Sequence, residues 1–344
     1  MADFRIPHSS FQLLNSGSLI RCPGISPETA EIAAMRFEQR SFEKAGHRFT
    51  ELVDQGSGFR ILADHAGAEL ISLARRNAEG TWHGYLYRDG DFSAPPDGWK
   101  NHATVMGYYI HRLLGERSLY EGEEIRGGNH SFLRTKQFSD PEVILNDRGA
   151  TVHFHLPSDR IEKSEYPRKV DFSLDYCLTA DCLEVRFSFA NLEPDRPAHL
   201  SFGLHPGFAV SSVENARVLL PPGRYRRHIA PENFLSGETV DFTFEGGPMP
   251  FKPFELPGSF LIEPLDWEES VVRLHDYGSN HEIQIDLAEA PFFTIWSDLH
   301  PFICVEPCWG LPDHHQQKPF EKKIGIQVVP PQVTLSRSCS IRFR

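Results

Sequence analysis

Apolar and polar positions alternate along most of this chain. In LEVRFSFAN, Leu183, Val185, Phe187 and Phe189 fall on one side of an extended backbone and Glu184, Arg186 and Ser188 on the other, which is the period of a half-buried strand. FRILAD, ELISLA, TVHFHL, VDFSLDYCL, HEIQIDL, FFTIWS, FICVEP and IGIQVV are similar short runs, each bounded by Gly, Pro, Asn or Asp. They continue from about Phe59 to the C-terminal end without helical periodicity between them, which predicts a large antiparallel β-supersandwich. The 26 prolines and 26 glycines are scattered as turn punctuation, as in PPDG at 95–98 and PPGR at 221–224, and form no linker. Residues 59–344 therefore read as one all-β domain.

A different period precedes it. SPETAEIAAMRFEQRSFEKAG predicts a helix over 26–46, with Ser26 as cap, Pro27 in the first turn, and Glu28 and Glu31 at the positive end of the dipole. Residues 1–58 are thus expected to form a partly helical appendage. No internal repeat or low-complexity segment points to a solenoid or propeller.

With 344 residues and 40% apolar content, the chain can bury a large core without disulfides or metals. Its net charge of −12 is the wrong sign for a phosphate backbone, so nucleic acid is not an expected partner. No apolar run approaches the ~20 residues that cross a bilayer, and MADFRIPHSSFQ lacks the basic-then-apolar order of a secretory signal. A cytoplasmic protein without membrane contact is the expectation. Cys22, Cys177, Cys182, Cys304, Cys308 and Cys339 have no zinc-site spacing and read as reduced, packed thiols. His153/His155 would share the solvated face of a strand, and His314/His315 lie in a polar segment, so no resident metal is expected.

The chain lacks a GxSxG elbow, a P-loop and a GxGxxG turn, which sets aside the common hydrolase and nucleotide-binding chemistries. Three segments remain that place His, Arg or Glu beside Pro, Gly and aromatic residues: NHSFLR at 129–134, SFGLHPGF at 201–208 and FICVEPCWG at 302–310. Each is expected at a strand end, where loops can bring binding groups together. Aromatic faces beside hydrogen-bonding groups suit a pyranose, whose C–H faces are apolar and whose rim is hydroxyls.

In order and wording these segments resemble the aldose 1-epimerase (galactose mutarotase-like) family, in the broad bacterial branch that includes hexose-6-phosphate epimerase-like members. The resemblance runs over roughly residues 59–343. GAELISLARR and TWHGYLY look like the family's opening hairpin. GYYIHRLLGERSLYEGEEI with NHSFLR is similar to its arginine-bearing strand and HGF segment, and HPGF stands for its HPYF element. FTIWSDLHPFICVEPCWGLPD resembles the strand with the catalytic glutamate. EKKIGIQVVPPQVTLSRSCSIRF resembles the closing strands. Gly207 stands where the family usually has an aromatic residue, and Ser131 where it has Gly.

The resemblance implies an aldose 1-epimerase that interconverts the anomers of a monosaccharide, a hexose or hexose 6-phosphate among the candidates, without a cofactor. It implies Glu306 as general base and His205 as general acid, bracketing the anomeric centre across a pocket one monosaccharide wide. Arg112, His130 and Asp266 would bind substrate, and Arg112, Arg126 and Arg134 are the nearest candidates for a phosphate. The expected partner is the sugar alone, with the chain a monomer or homodimer. Two other readings stay open: a carbohydrate-binding protein without turnover on the same fold, and another sugar-active enzyme such as a lyase.

Overall fold

A computed structural model describes residues 20–21, 36–93, 95–145 and 149–343. Among the described residues, a ten-stranded and an eight-stranded sheet dominate. Strand pairs are antiparallel apart from Ile20–Arg21, which runs parallel to Glu142–Leu145. The middle of the larger sheet is formed by Ala150–Leu156, Val170–Leu178, Cys182–Asn191 and Thr334–Phe343. The smaller sheet orders Thr239–Phe244, Gly223–His228, Phe260–Trp267, Phe292–Trp296, Phe302–Trp309, Ala198–Ala209 and Gln327–Val329, and Ala103–Tyr108 also pairs with Ala198–Ala209. No helix among the described residues is long and apolar enough to cross a membrane.

The alternation in LEVRFSFAN is realised as written. Leu183, Val185, Phe187 and Phe189 are buried while Glu184, Arg186 and Ser188 are partly exposed. Phe187 and Phe189 meet Phe202 of the smaller sheet at 5.4 and 4.6 Å between ring centroids. Trp309 stacks on Phe202 at 4.9 Å. These rings join the two sheets into one apolar layer, and aromatic side chains contribute the largest buried areas to such a core.

The helix expected over 26–46 is not what forms where it can be seen. Ser26 and Pro27 lie outside the described residues, and Phe37–Lys44 is a strand paired with His47–Asp54. Ala45 and Gly46, at φ 51° and 80°, close the two-residue hairpin with the positive φ values that such a turn requires. Cross-strand pairs explain why helix propensity loses. Phe42 packs on Phe49 at 5.5 Å, Arg40 pairs with Glu51, and Arg36 pairs with Asp54. His47–Asp54 then pairs with Phe59–Asp64, so the sheet runs across the expected boundary at residue 59. Phe37 and Leu52 enter the main core.

His153 hydrogen-bonds Asp175 at 2.6 Å on the outer sheet face, and the rings of His314 and His315 lie tilted by 32° with centroids 4.3 Å apart. Cys177, Cys182, Cys304, Cys308 and Cys339 are free thiols. Cys22 lies outside the described residues.

Candidate active site

The site is built on two strands, Ala198–Ala209 and Phe302–Trp309, whose register decides everything that follows. Phe202 pairs with Trp309, Gly203 with Cys308, and, after a gap, Gly207 with Cys304. Carried through the gap, that register sets His205 opposite Glu306. Pro206 and Pro307 fall inside the gap, and neither has an N–H to give to the ladder. The expectation that the two groups sit at strand ends is therefore corrected. They lie in mid-strand, where missing ladder bonds leave the pair face to face.

Alternation sorts the side chains of both strands. Phe202, Leu204, Phe208, Ile303, Val305 and Trp309 face the core between the sheets. Ser201, Gly203, His205 and Gly207, with Cys304, Glu306 and Cys308, take the other face by the period of two. Neighbouring strands extend this face sideways, because Thr104 is in register with His205 and Thr294 with Glu306. Leu261 is in register with Thr294, and His228 with Leu261, completing one transverse row across the sheet.

His205 Nε2 lies 3.4 Å from Glu306 Oε1. The two side chains are in contact rather than facing each other across a monosaccharide-wide gap, as had been expected. Relative exposures of 6% for His205 and 1% for Glu306 put both out of bulk water. Burial pushes the Glu306 carboxyl well above the usual carboxylate value. Burial first, then the charges of His111 and Arg134, holds His205 down to about 3. Both shifts favour the uncharged form of each group. Glu306 Oε2 and His205 Nδ1 have no hydrogen-bond partner. A buried polar atom left unpaired costs roughly 1–3 kcal/mol, a cost that recurs at sites made for a ligand.

His130 lies beside this pair. Its ring stands edge-on to His205 with centroids 5.1 Å apart. The His111 N–H donates to His130 Nδ1 at 3.2 Å, which fixes His130 as the tautomer with its proton on Nε2. His130 and Ser131 have φ of 58° and 63°. At position 131 that left-handed backbone is one that glycine adopts freely and serine pays for, by about 1 kcal/mol.

Arg112 is exposed at the rim, where its charge adds to burial, the largest cause, in lowering the pKa of His111 and His130. The loop that carries it is held by Asp313, whose N–H donates to the Arg112 carbonyl at 3.2 Å and whose carboxylate accepts from Leu114 N at 3.0 Å and pairs with buried Lys323. Arg134 is half-buried, and its charge reaches both His130 and His205. Arg126 is exposed and paired with Glu124. Asp266 is not brought to the site. It lies exposed on Phe260–Trp267, opposite Arg224 and ~16 Å along the strand from the Leu261 position. A break in register between Arg224 and Tyr225 precedes it, a feature that LIEPLDWEES does not announce.

Several residues of the site were not singled out from the sequence. His111 is buried beside His130, and its Nε2 lies 3.5 Å from Thr294 Oγ1. Trp99, Trp296 and Phe302 form an aromatic wall around His205, with Trp99 stacked on it at 5.0 Å and Trp296 edge-on at 5.6 Å. Alternation in FFTIWS would place Thr294 and Trp296 on one face. No local signal marks Trp99, which follows a turn sequence. Two trios, His111–Glu306–Cys308 and His205–Cys304–Glu306, each bring three donor atoms within 4.8 Å of one another and are the residues that could hold a divalent cation. In each trio two donors come from Phe302–Trp309 and the third, His111 or His205, from a distant segment, so no sequence spacing shows the full set.

Comparison with known proteins agrees with this architecture. The solved structure of a galactose mutarotase related enzyme from Lactobacillus acidophilus superposes with a TM-score of 0.73 at 20% identity, over 89% of this chain and 97% of that one. A galactose mutarotase-like protein from Lactobacillus casei gives 0.70 at 20% identity, over 89% and 100%. An aldose epimerase homologue from C. elegans gives 0.63 at 14% identity, over 87% and 99%. A search of the curated proteins returns no match. The family model described as aldose 1-epimerase matches residues 52–342. That span contains both site strands and most of the sandwich, and the chain belongs to the aldose 1-epimerase family.

Proposed function

We propose that this protein is an aldose 1-epimerase in which Glu306 and His205 are the acid–base pair. The observation that carries the reading is the buried 3.4 Å contact between His205 Nε2 and Glu306 Oε1, together with the unpartnered Glu306 Oε2 and His205 Nδ1. Anomer exchange needs one proton acceptor and one proton donor close together, because the anomeric hydroxyl and the ring oxygen are bonded to the same carbon. In ring opening, the acceptor takes the hydroxyl proton and the carbon–ring-oxygen bond breaks. The donor then protonates the ring oxygen. Rotation about the C1–C2 bond and reclosure on the other face return both protons, so the cycle is balanced without a cofactor.

The family resemblance makes Glu306 the acceptor and His205 the donor. Burial favours the uncharged form of each group, a protonated Glu306 and a neutral His205, which is the inverse arrangement. Passage of a proton across the contact interconverts the two forms, and the roles exchange again on reclosure. Sugar binding must replace the direct contact by hydrogen bonds from each group to the two oxygens. His130 and Arg112, as binding groups for other hydroxyls, would hold the ring. Asp266 has no part in this reading.

The experiment is an anomer-exchange NMR screen over free and phosphorylated hexoses and pentoses, with Glu306→Gln alongside the wild type. Acceleration by the wild type that is lost in Glu306→Gln is the expected result. Saturable sugar binding with no acceleration on any sugar would instead make the chain a binding protein, and the proposal would fall.

A further inference from the structure

We propose that Trp99 is a positioning residue for His205, an aromatic wedge that the chain supplies from a distant loop and seats in a notch left open by Gly207. The inference rests on the proposed role of His205, and it starts from space. Gly207 lies two residues along from His205 on the same face, opposite Cys304. A Cβ built on Gly207 would come within 2.2 Å of Trp99 Cζ3, closer than any real contact, so the indole edge stands where a side chain at 207 would stand. This accounts for the glycine where the family usually has an aromatic residue. The aromatic group is present, but it arrives from the 95–100 loop.

The wedge is held on several sides. Its ring is within 24° of parallel to His205 and within 27° of parallel to Phe302, at 5.0 and 5.1 Å between centroids. Phe302 is in register with Ala209. His205 and Ala209 flank Gly207 at two residues either way, so the indole fills the slot between the His205 ring and Phe302. Trp296 meets the indole edge-on at 6.0 Å. The loop itself is tethered, because Trp99 N–H donates to Asp298 Oδ2 at 2.7 Å, and the other oxygen of Asp298 accepts from the backbone N–H of His300 at 3.0 Å. Gly98, at φ +73°, packs against the His300 ring so closely that a Cβ there would lie 2.6 Å from it.

The consequence for His205 is orientation and dryness. On its strand, both same-face neighbours, Gly203 and Gly207, lack side chains, so nothing on that strand prevents the imidazole from turning away from Glu306. Trp99 closes one of these openings, and Met106, whose Cε lies 2.9 Å from a Cβ built on Gly203, closes the other. The titratable and charged groups around the ring are Glu306 and Cys304 from the adjacent strand, His111, and His130 and Arg134 from the segment that follows the rim loop. Displacing the indole frees the ring to turn and opens its face to water.

The test reads the seat of His205 directly as well as turnover, so that it stands apart from the functional proposal. Ring-proton NMR contacts between His205 and His130, whose ring centroids lie 5.1 Å apart, are recorded at fixed pH in the wild type, Trp99→Ala, Trp99→Phe, Gly207→Ala and the Trp99→Ala/Gly207→Phe double variant. Trp99→Ala should lose these contacts and lower kcat by roughly 10- to 100-fold with KM changed far less. Trp99→Phe should stay near the wild type. Gly207→Ala, which pushes the indole out, should resemble Trp99→Ala, and the double variant, which refills the notch, should recover much of both losses. Contacts that persist in both Trp99→Ala and Gly207→Ala would overturn the inference, as would a loss of kcat that refilling the notch does not relieve. Should Trp99→Ala fail to fold, Gly207→Ala and Trp99→Phe decide it on the same two readouts. Lost ring contacts in a protein that accelerates no sugar would sink the epimerase reading and leave the wedge standing.

Discussion

The strands Cys182–Asn191 and Phe302–Trp309 have similar lengths and both border the main core, yet they carry different information. Along the first, burial alternates strictly, with Leu183, Val185, Phe187 and Phe189 inside and polar side chains facing out. The second is buried at every position, in FICVEPCW. A strand with one wet face can place its polar residues in solvent. In a strand buried on both faces, a polar residue needs either a partner or a function. Glu306 has one oxygen 3.4 Å from His205 and the other unpaired, which is why this strand marks the site while the first marks only the core.

The comparison would break most visibly at Glu306 and His205. Glu306→Gln and His205→Asn should each lower kcat by ~10²- to 10⁴-fold, the usual contribution of a general acid or base, while sugar affinity largely survives. Because one proton serves both groups, the double variant should lose far less than the product of the single losses. Polarimetric rates beside calorimetric sugar titrations check this, and near-normal turnover in Glu306→Gln would be decisive against the pair.

On the alternating strand, the expected effect is on stability alone. Phe187→Ala removes a ring packed at 5.4 Å on Phe202 and 5.6 Å on Trp309, and should cost about 3–5 kcal/mol in chemical denaturation. Ser188→Ala, on the outer face of the same strand, should change stability by no more than ~0.5 kcal/mol. Equal losses at the two positions would mean that alternation does not report burial here.

At the rim, Arg112→Ala should raise KM several-fold and leave kcat nearly intact, since arginine holds its proton at all working pH values and cannot enter the relay. Abolished kcat at unchanged KM would contradict a binding role. Arg134→Ala sharpens the contrast. Its charge helps to lower the pKa of His205, so its loss should raise that pKa as well as affect binding.

The smallest effect belongs to the outer face. The hydrogen bond that His153 Nδ1–H donates to Asp175, the largest cause, raises the pKa of His153. A raised pKa in the folded state means that the stabilisation is fully present below the unfolded histidine value of ~6.5 and is lost as pH rises through the higher folded value. Asp175→Asn should therefore cost up to ~1 kcal/mol at pH 5 and nothing measurable at pH 9. A cost independent of pH would assign the contact to packing rather than charge.

Much of the architecture was legible because alternation is local. VDFSLDYCL and LEVRFSFAN state which residues go inside without reference to the rest of the chain, and the ordered segments around His130, His205 and Glu306 were enough to single out three residues that the structure brings together. The helix expected over 26–46 was misread in its second half because FEQRSFEK has fair helix formers, and only the partner strand with Phe49, Glu51 and Asp54 shows why it extends. Asp266 was misplaced because the row that reaches the site crosses its strand at Leu261, and that crossing is set by pairing with Thr294 and His228 and has no local signature.

By itself, then, the sequence determined the strand period, the polar residues that a doubly buried strand would have to explain, and the family segments that name His205 and Glu306. Tertiary structure decided which atoms touch. Register between strands about a hundred residues apart set His205 against Glu306, brought Trp99 over Gly207 and left Asp266 away from them. It also set the direction in which the pKa of Glu306 moves, because that rise comes from desolvation, a property of everything packed around a carboxyl and of no residue adjacent to it in the chain.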